Sequence, residues 1–152
     1  MESLKLAHEN LTSALERLNE SIDHLEQCRK CESTKETMLT FMDNSKLERS
    51  LRDSLIQRFE FCTDLFWKYL KKYLELIVQI TPDFNGPKPV IRAALKAGLL
   101  SETDAETLLK MIESRNMTSH IYKEEIADQI SANIPMHYKI MHKYADSLMP
   151  QA

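Results

Sequence analysis

Glycine is scarce in this sequence, and its scarcity closes off several chemistries at once. Two glycines and five prolines occur in 152 residues. There is accordingly no Gly-rich loop to cradle a nucleotide phosphate and no Gly-x-Ser-x-Gly elbow to expose a serine nucleophile. With so few turn formers and an abundance of Leu, Lys, Glu and Met, the chain reads as long helices with few connections. Cysteine is sparse too. Three cysteines, an odd number, make no disulfide framework and fit reduced thiols. Cys28-Arg29-Lys30-Cys31 spells Cys-x-x-Cys, but no second Cys or His pair stands at zinc-ligand spacing, so no metal is expected there. No stretch of about 18 apolar residues occurs, and Met1-Glu2-Ser3 leads straight into an amphipathic repeat. Neither a membrane span nor a signal peptide is expected, and the expected compartment is the cytoplasm. No acidic cluster suits a divalent ion, so any catalysis would be metal-independent and no cofactor is called for.

A dominant charge is also missing. The 20 basic and 23 acidic residues leave a net charge of −3, which argues against a protein that coats nucleic acid by bulk electrostatics. Any RNA contact must be local.

What the chain has is helical periodicity. Leu4, Ala7, Leu11, Ala14, Leu18, Ile22 and Leu25 recur at steps of three and four, which predicts a first helix from about residue 3 to 30 that buries one stripe on the outside of a bundle. Residues 31 to 43 lose the period and read as a connection, with Asn44 or Ser45 as N-cap of a second helix. That helix should run from about 45 to 80, carried by Leu47, Leu51, Leu55, Phe59, Cys62, Phe66, Tyr69, Tyr73, Ile77 and Ile80. Ile56, Trp67, Leu74 and Val78 extend its apolar stripe onto a second flank. A dimer interface is the natural use of that flank; cover by helix one or by the connection is the alternative. Arg58 and Glu60 sit awkwardly among these apolar positions. Glu60 can orient Arg115 or His120, or both charges can reach out to solvent.

Three of the five prolines fall between Thr81 and Pro89 and end the second helix. A short helix from about 89 to 97 should stop at Gly98, and Ser101 should cap a further helix that delivers Arg115 at its C-terminal end. A last helix opens near Tyr122 to Glu125, with Pro135 expected to kink or break it. The expected whole is a single all-α domain over residues 1–152, an up-and-down bundle of four main helices plus a short one. Elsewhere, His137 and His142 are five apart and suit no metal, His8 and His24 look solvated, and Glu48–Arg52 and Arg49–Asp53 read as surface pairs.

The densest chemistry lies in Ser114-Arg115-Asn116-Met117-Thr118-Ser119-His120-Ile121-Tyr122. Arg offers a fixed fork of donors for phosphate oxygens, and His exchanges a proton near neutrality. The N–H groups opening the last helix would favour an anion at the same junction. The plainer alternative is that Arg115 closes one helix while His120 and Tyr122 open the next.

That segment, with Ile56-Gln57-Arg58-Phe59-Glu60-Phe61, Trp67-Lys68, and Ile91-Arg92-Ala93-Ala94-Leu95-Lys96-Ala97-Gly98-Leu99-Leu100, resembles the nucleotidyltransferase substrate-binding family of the HEPN superfamily. The similarity runs from about residue 45 to 145, in order, and departs from the family's pattern at Pro135 and in the irregular segment 31 to 43. It implies a bundle that dimerises with the Arg-His motifs of two copies facing one cleft, and a minimal nucleotidyltransferase as partner. Such pairs are known as toxin–antitoxin modules, and in the better-understood members the HEPN subunit is a metal-independent ribonuclease silenced by addition of AMP to the tyrosine of Arg-x-x-x-x-His-x-Tyr. Carried over, the catalytic pair is Arg115 and His120, the modified residue is Tyr122, and Asn116, Thr118 and Glu60 support the site. The acid that protonates the leaving oxygen is then water, the second copy's His120, or the same His acting in turn. The alternative from another class is a non-catalytic subunit that presents a nucleotide or an acceptor to the nucleotidyltransferase, using the same residues.

Overall fold

The computed structural model describes residues 1–30 and 44–151. It is all-α: five α-helices and no strand among the described residues. These are α1 (Glu2–Lys30), α2 (Asn44–Tyr73), the short α3 (Pro87–Lys96), α4 (Glu102–Asn116) and α5 (Glu124–Ser147). The expected connection at 31 to 43, with Cys31, lies outside the described residues.

Side-chain contacts fix the directions of the four long helices. His8 near the start of α1 meets Tyr69 near the end of α2, with ring centroids 5.4 Å apart, and its Nε2 lies 2.8 Å from the carbonyl of Ala145 near the end of α5. Tyr69 in turn donates its hydroxyl to the carbonyl of Leu148. Helices α2 and α5 therefore run parallel, and α1 runs against both. At the start of α4, Asp104 accepts hydrogen bonds from Lys143 (2.7 Å) and Tyr144 near the end of α5, so α4 and α5 are antiparallel. The result is up-down-up-down. His8 is thus a half-buried joint between three helices rather than the solvated residue its sequence position suggested.

The core is built from the expected stripes. Leu4, Leu11, Leu15, Leu18, Ile22 and Leu25 of α1 and Leu55, Phe59, Cys62, Phe66, Tyr69 and Tyr73 of α2 are buried together, each large side chain contributing about 1.5–3 kcal/mol. Burial pushes the Cys62 thiol up to about 12 and keeps it protonated. The second flank of α2 does not form an open interface. Ile56 and Leu74 are fully buried within the single chain, and Trp67 and Val78 are half-buried against the same core. Helix α1, which packs along α2 more extensively than any other element, adds Leu15 and Cys28 to its buried stripe.

One further expectation is revised and another narrowed. Arg52 is 5% exposed; rather than joining a surface pair, it sends its guanidinium to Glu124 (2.6 Å) and Asp128 (3.1 Å) on α5 and to Asp53 (3.1 Å). This cluster fastens the start of α2 to the start of α5, and the hydrogen bond to Glu124 raises the Arg52 pKa further. Of the kink or break expected at Pro135, the break does not occur, since α5 is continuous from Glu124 to Ser147.

The ends of the helices set the course of the chain between them. The α2 helix widens into a π-turn at Leu74–Val78 and stops at Gln79, whose φ of 63° is left-handed, three residues before the first proline of the loop. Helix α3 ends in a Schellman pattern. Leu99 N–H donates to the Ala94 carbonyl and Gly98 N–H to that of Leu95, both at 3.0 Å, with Gly98 at φ 80°, a conformation that favours glycine. The Ser101 hydroxyl then accepts from the Asp104 N–H at 3.1 Å and starts α4, which carries Arg115 to the far end of the bundle.

Candidate functional site

The junction between α4 and α5 holds the chemically rich segment. Arg115 sits in the last turn of α4, a 3₁₀ turn covers Met117–His120, and α5 begins at Glu124. Thr118, 5% exposed, fastens this turn. Its hydroxyl donates to the Arg115 carbonyl at 2.8 Å and accepts from Nη1 of the same arginine at 3.1 Å.

The Arg115 guanidinium is committed elsewhere as well. Asp64 on α2 takes it in a two-point grip, Nε to one carboxylate oxygen and Nη2 to the other, each at 3.2 Å. Glu60, one turn earlier on the same face, lies 3.5 Å from Nη1. The Asp64 hydrogen bond leads the effects that raise the Arg115 pKa, against partial burial that lowers it. One cation therefore faces two carboxylates. An incoming phosphate would meet that local excess of negative charge and would have to displace Asp64. The Glu60–Arg115 contact is one of the two positions expected for Glu60. Asp64 was missed, although its signal was present: it follows Glu60 by four residues and so shares its helical face.

The remaining residues divide between a cleft and an exposed edge. Asn116 and Arg115 line a cleft of ≈ 270 Å3 with Asp64, Trp67, Lys68 and Pro87, which joins the Trp67-Lys68 segment to the junction. His120 and Tyr122 are exposed, Tyr122 to 74%. Their rings meet edge to face, centroids 6.1 Å apart, and Lys123 Nζ stands 5.9 Å from the Tyr122 ring. The hydrogen-bond and ion-pair partners of Arg115 are Asp64, Glu60 and Thr118; His120 is not among them. The helix pole expected to attract an anion carries the chain's own Glu124 and Glu125 in its first turn, and Glu124 is held by Arg49 and Arg52.

The family model for proteins like the nucleotidyltransferase substrate binding protein matches residues 6–150. The chain belongs to that family. A crystal structure from Thermus thermophilus is similar to it at 30% identity and a TM-score of 0.64, over 88% of this chain and 99% of that one. A Haemophilus influenzae structure, described as revealing the fold of a substrate binding domain of a nucleotidyltransferase, is similar at 25% identity and a TM-score of 0.61, over 88% and 98%. No curated protein sequence matches. In this member of the nucleotidyltransferase substrate-binding family, no group of three or more metal-ligating side chains gathers among the described residues. No described helix is long and apolar enough to cross a membrane.

Proposed function

We propose that the protein is the non-catalytic subunit of a nucleotidyltransferase complex and that it presents Tyr122 as the nucleotide acceptor. The observation that carries this reading is the 74% exposure of Tyr122 at a junction whose arginine is already engaged by carboxylates. An exposed phenol can enter a partner's active site without any change of fold. With ATP, the phenol oxygen would attack the α-phosphorus, a new O–P bond would form as the α–β phosphoanhydride breaks, pyrophosphate would leave, and the phenol proton would pass to solvent or to a base of the transferase. The nearby Lys123 ammonium suits the phosphate so attached. Incubation with the cognate minimal nucleotidyltransferase, ATP and magnesium should add adenylate mass to the wild type and none to Tyr122→Phe. Equal modification of the variant would remove Tyr122 as acceptor; failure of the two proteins to copurify would remove the complex itself.

A second reading, a metal-independent ribonuclease acting as the toxin of a toxin–antitoxin pair, draws on one observation. Arg115 and His120 leave the same junction, and the Tyr122 ring lies beside that of His120. His120 would take the 2′-OH proton and Arg115 would steady charge on an RNA phosphate after releasing Asp64. An adenylate on Tyr122 would cover His120 and silence it. This reading also places two copies of the chain together, with the junctions facing one cleft.

A further inference from the structure

A second groove lies on a different face, between α1 and α2, and none of the junction residues lines it. It encloses ≈ 720 Å3 and is walled by Asn10 and Arg17 of α1 and by Gln57, Arg58 and Phe61 of α2. The trough exists because the facing positions are small: Ser13 and Ala14 on one helix, Ser54 on the other. Along α2 the lining residues Ser54, Phe61 and Leu65 and the adjacent pair Gln57 and Arg58 fall three or four apart from one turn to the next, so the groove tracks one helical face for about 16 Å.

Its charge is opposite in sign to that of the chain as a whole. On a chain of net charge −3, this groove is lined by two arginines and no carboxylate. Neither Arg17 nor Arg58 has an ion-pair partner among the described residues. The acidic residues of α2 near Arg58 are engaged on other faces of the helix, Asp53 by Arg52 and Glu60 and Asp64 by Arg115, and the positions that share the Arg58 face, Ser54, Leu55, Phe61 and Cys62, carry no acid. Arg58 is left unneutralised. Phe61 stands at the edge, 59% exposed, a large apolar ring that the bundle itself does not cover.

We propose that this groove binds a nucleotide, with Arg17 and Arg58 on its phosphate oxygens and Phe61 stacked on its base. Guanidinium forks match phosphate oxygens, and an aromatic face accepts any base. The amides of Asn10 and Gln57 supply donors and acceptors for sugar or base edges. A free nucleoside triphosphate and a segment of single-stranded RNA share this chemistry. The inference rests on the groove and not on the acceptor role of Tyr122.

The test uses the full chain with two probes, ATP followed by calorimetry and a labelled short single-stranded RNA followed by anisotropy. Arg17→Ala and Arg58→Ala should each weaken the bound probe about tenfold, and Phe61→Ala by a similar factor. Lys110→Ala, which removes an exposed cation of α4 that pairs with Glu106, should leave binding unchanged. If the strand is the source, each arginine removed lowers the slope of log affinity against log salt by about 0.7; if ATP binds and the strand does not, the source is the free nucleotide. Circular dichroism of each variant separates lost binding from lost fold, and Arg58→Lys, which keeps the charge and loses the fork, should recover part of the affinity. Absence of binding by both probes at low salt, wild-type affinity in the Arg17→Ala/Arg58→Ala double variant, or an equal loss of binding in Lys110→Ala would each overturn the proposal.

Discussion

Asp64 grips both the Nε and Nη2 of Arg115 at 3.2 Å, across 51 residues of sequence, and this pairing decides what the α4–α5 junction offers. The guanidinium is oriented by Asp64, Glu60 and Thr118 before any ligand arrives, while His120 and Tyr122 stay exposed. The Tyr122 phenol is thereby more available than the Arg115 guanidinium.

Replacing Asp64 by Asn keeps the shape of the side chain and removes its charge. The junction should then bind inorganic phosphate a few-fold more tightly, because the competing carboxylate has gone. Stability should fall by less than about 1 kcal/mol, since the pair is partly solvated. Titration followed through the Arg115 Nε–H signal by NMR reads the change directly; an unaltered phosphate response would mean that Asp64 does not gate Arg115.

If the ribonuclease reading holds, His120→Ala and Arg115→Ala each abolish RNA cleavage while the fold persists, and cleavage by the wild type survives EDTA. His120 is exposed, so its replacement leaves the core alone. Loss of cleavage on chelation, or full cleavage by either variant, would overturn the assigned roles.

Self-association, if it occurs at the junction, has to use what the core leaves available, and Trp67 is the large residue of the α2 flank that also lines the Arg115 cleft. Trp67→Glu should shift a dimeric wild type to monomer in light scattering, because a buried unpaired carboxylate opposes association. A monomeric wild type, or a variant that stays dimeric, would place any interface elsewhere.

His137 gives the fold a pH dependence. It is 2% exposed, stacked on Phe59 with centroids 5.6 Å apart, and its Nδ1 has no hydrogen-bond partner among the described residues. Burial lowers its pKa to about 4. The unfolded chain binds this proton from about pH 6.5 downward and the folded chain only near 4, so more protons are bound when unfolded and stability rises with pH across that window. The contribution is complete above about pH 6.5 and is lost on acidification through about 4; it amounts to no more than about 3 kcal/mol. Denaturant titrations between pH 7 and 5 should show a shallower decline for His137→Phe than for the wild type. Parallel curves would indicate that His137 titrates alike in both states.

Sequence alone determined the helical class, the stripes of α1 and α2, the stop at Gly98 and the cap at Ser101, because periodicity, capping and backbone preference act over a few residues. It also brought Arg115, Asn116, Thr118, His120 and Tyr122 to one junction, since they are neighbours in the chain. Tertiary structure decided what each of them touches. Asp64 reaches Arg115 from another helix, Arg52 leaves its apparent surface pair for Glu124 and Asp128, and His8 closes α1 onto α2 and α5. The second flank of α2 showed the same limit from the other side: Ile56 and Leu74 have the spacing of an open apolar face, and periodicity cannot distinguish a face covered by the chain's own helices from one covered by another molecule. Burial and charge pairing are sums over elements distant in sequence, and only the packed bundle sets which partner each side chain meets.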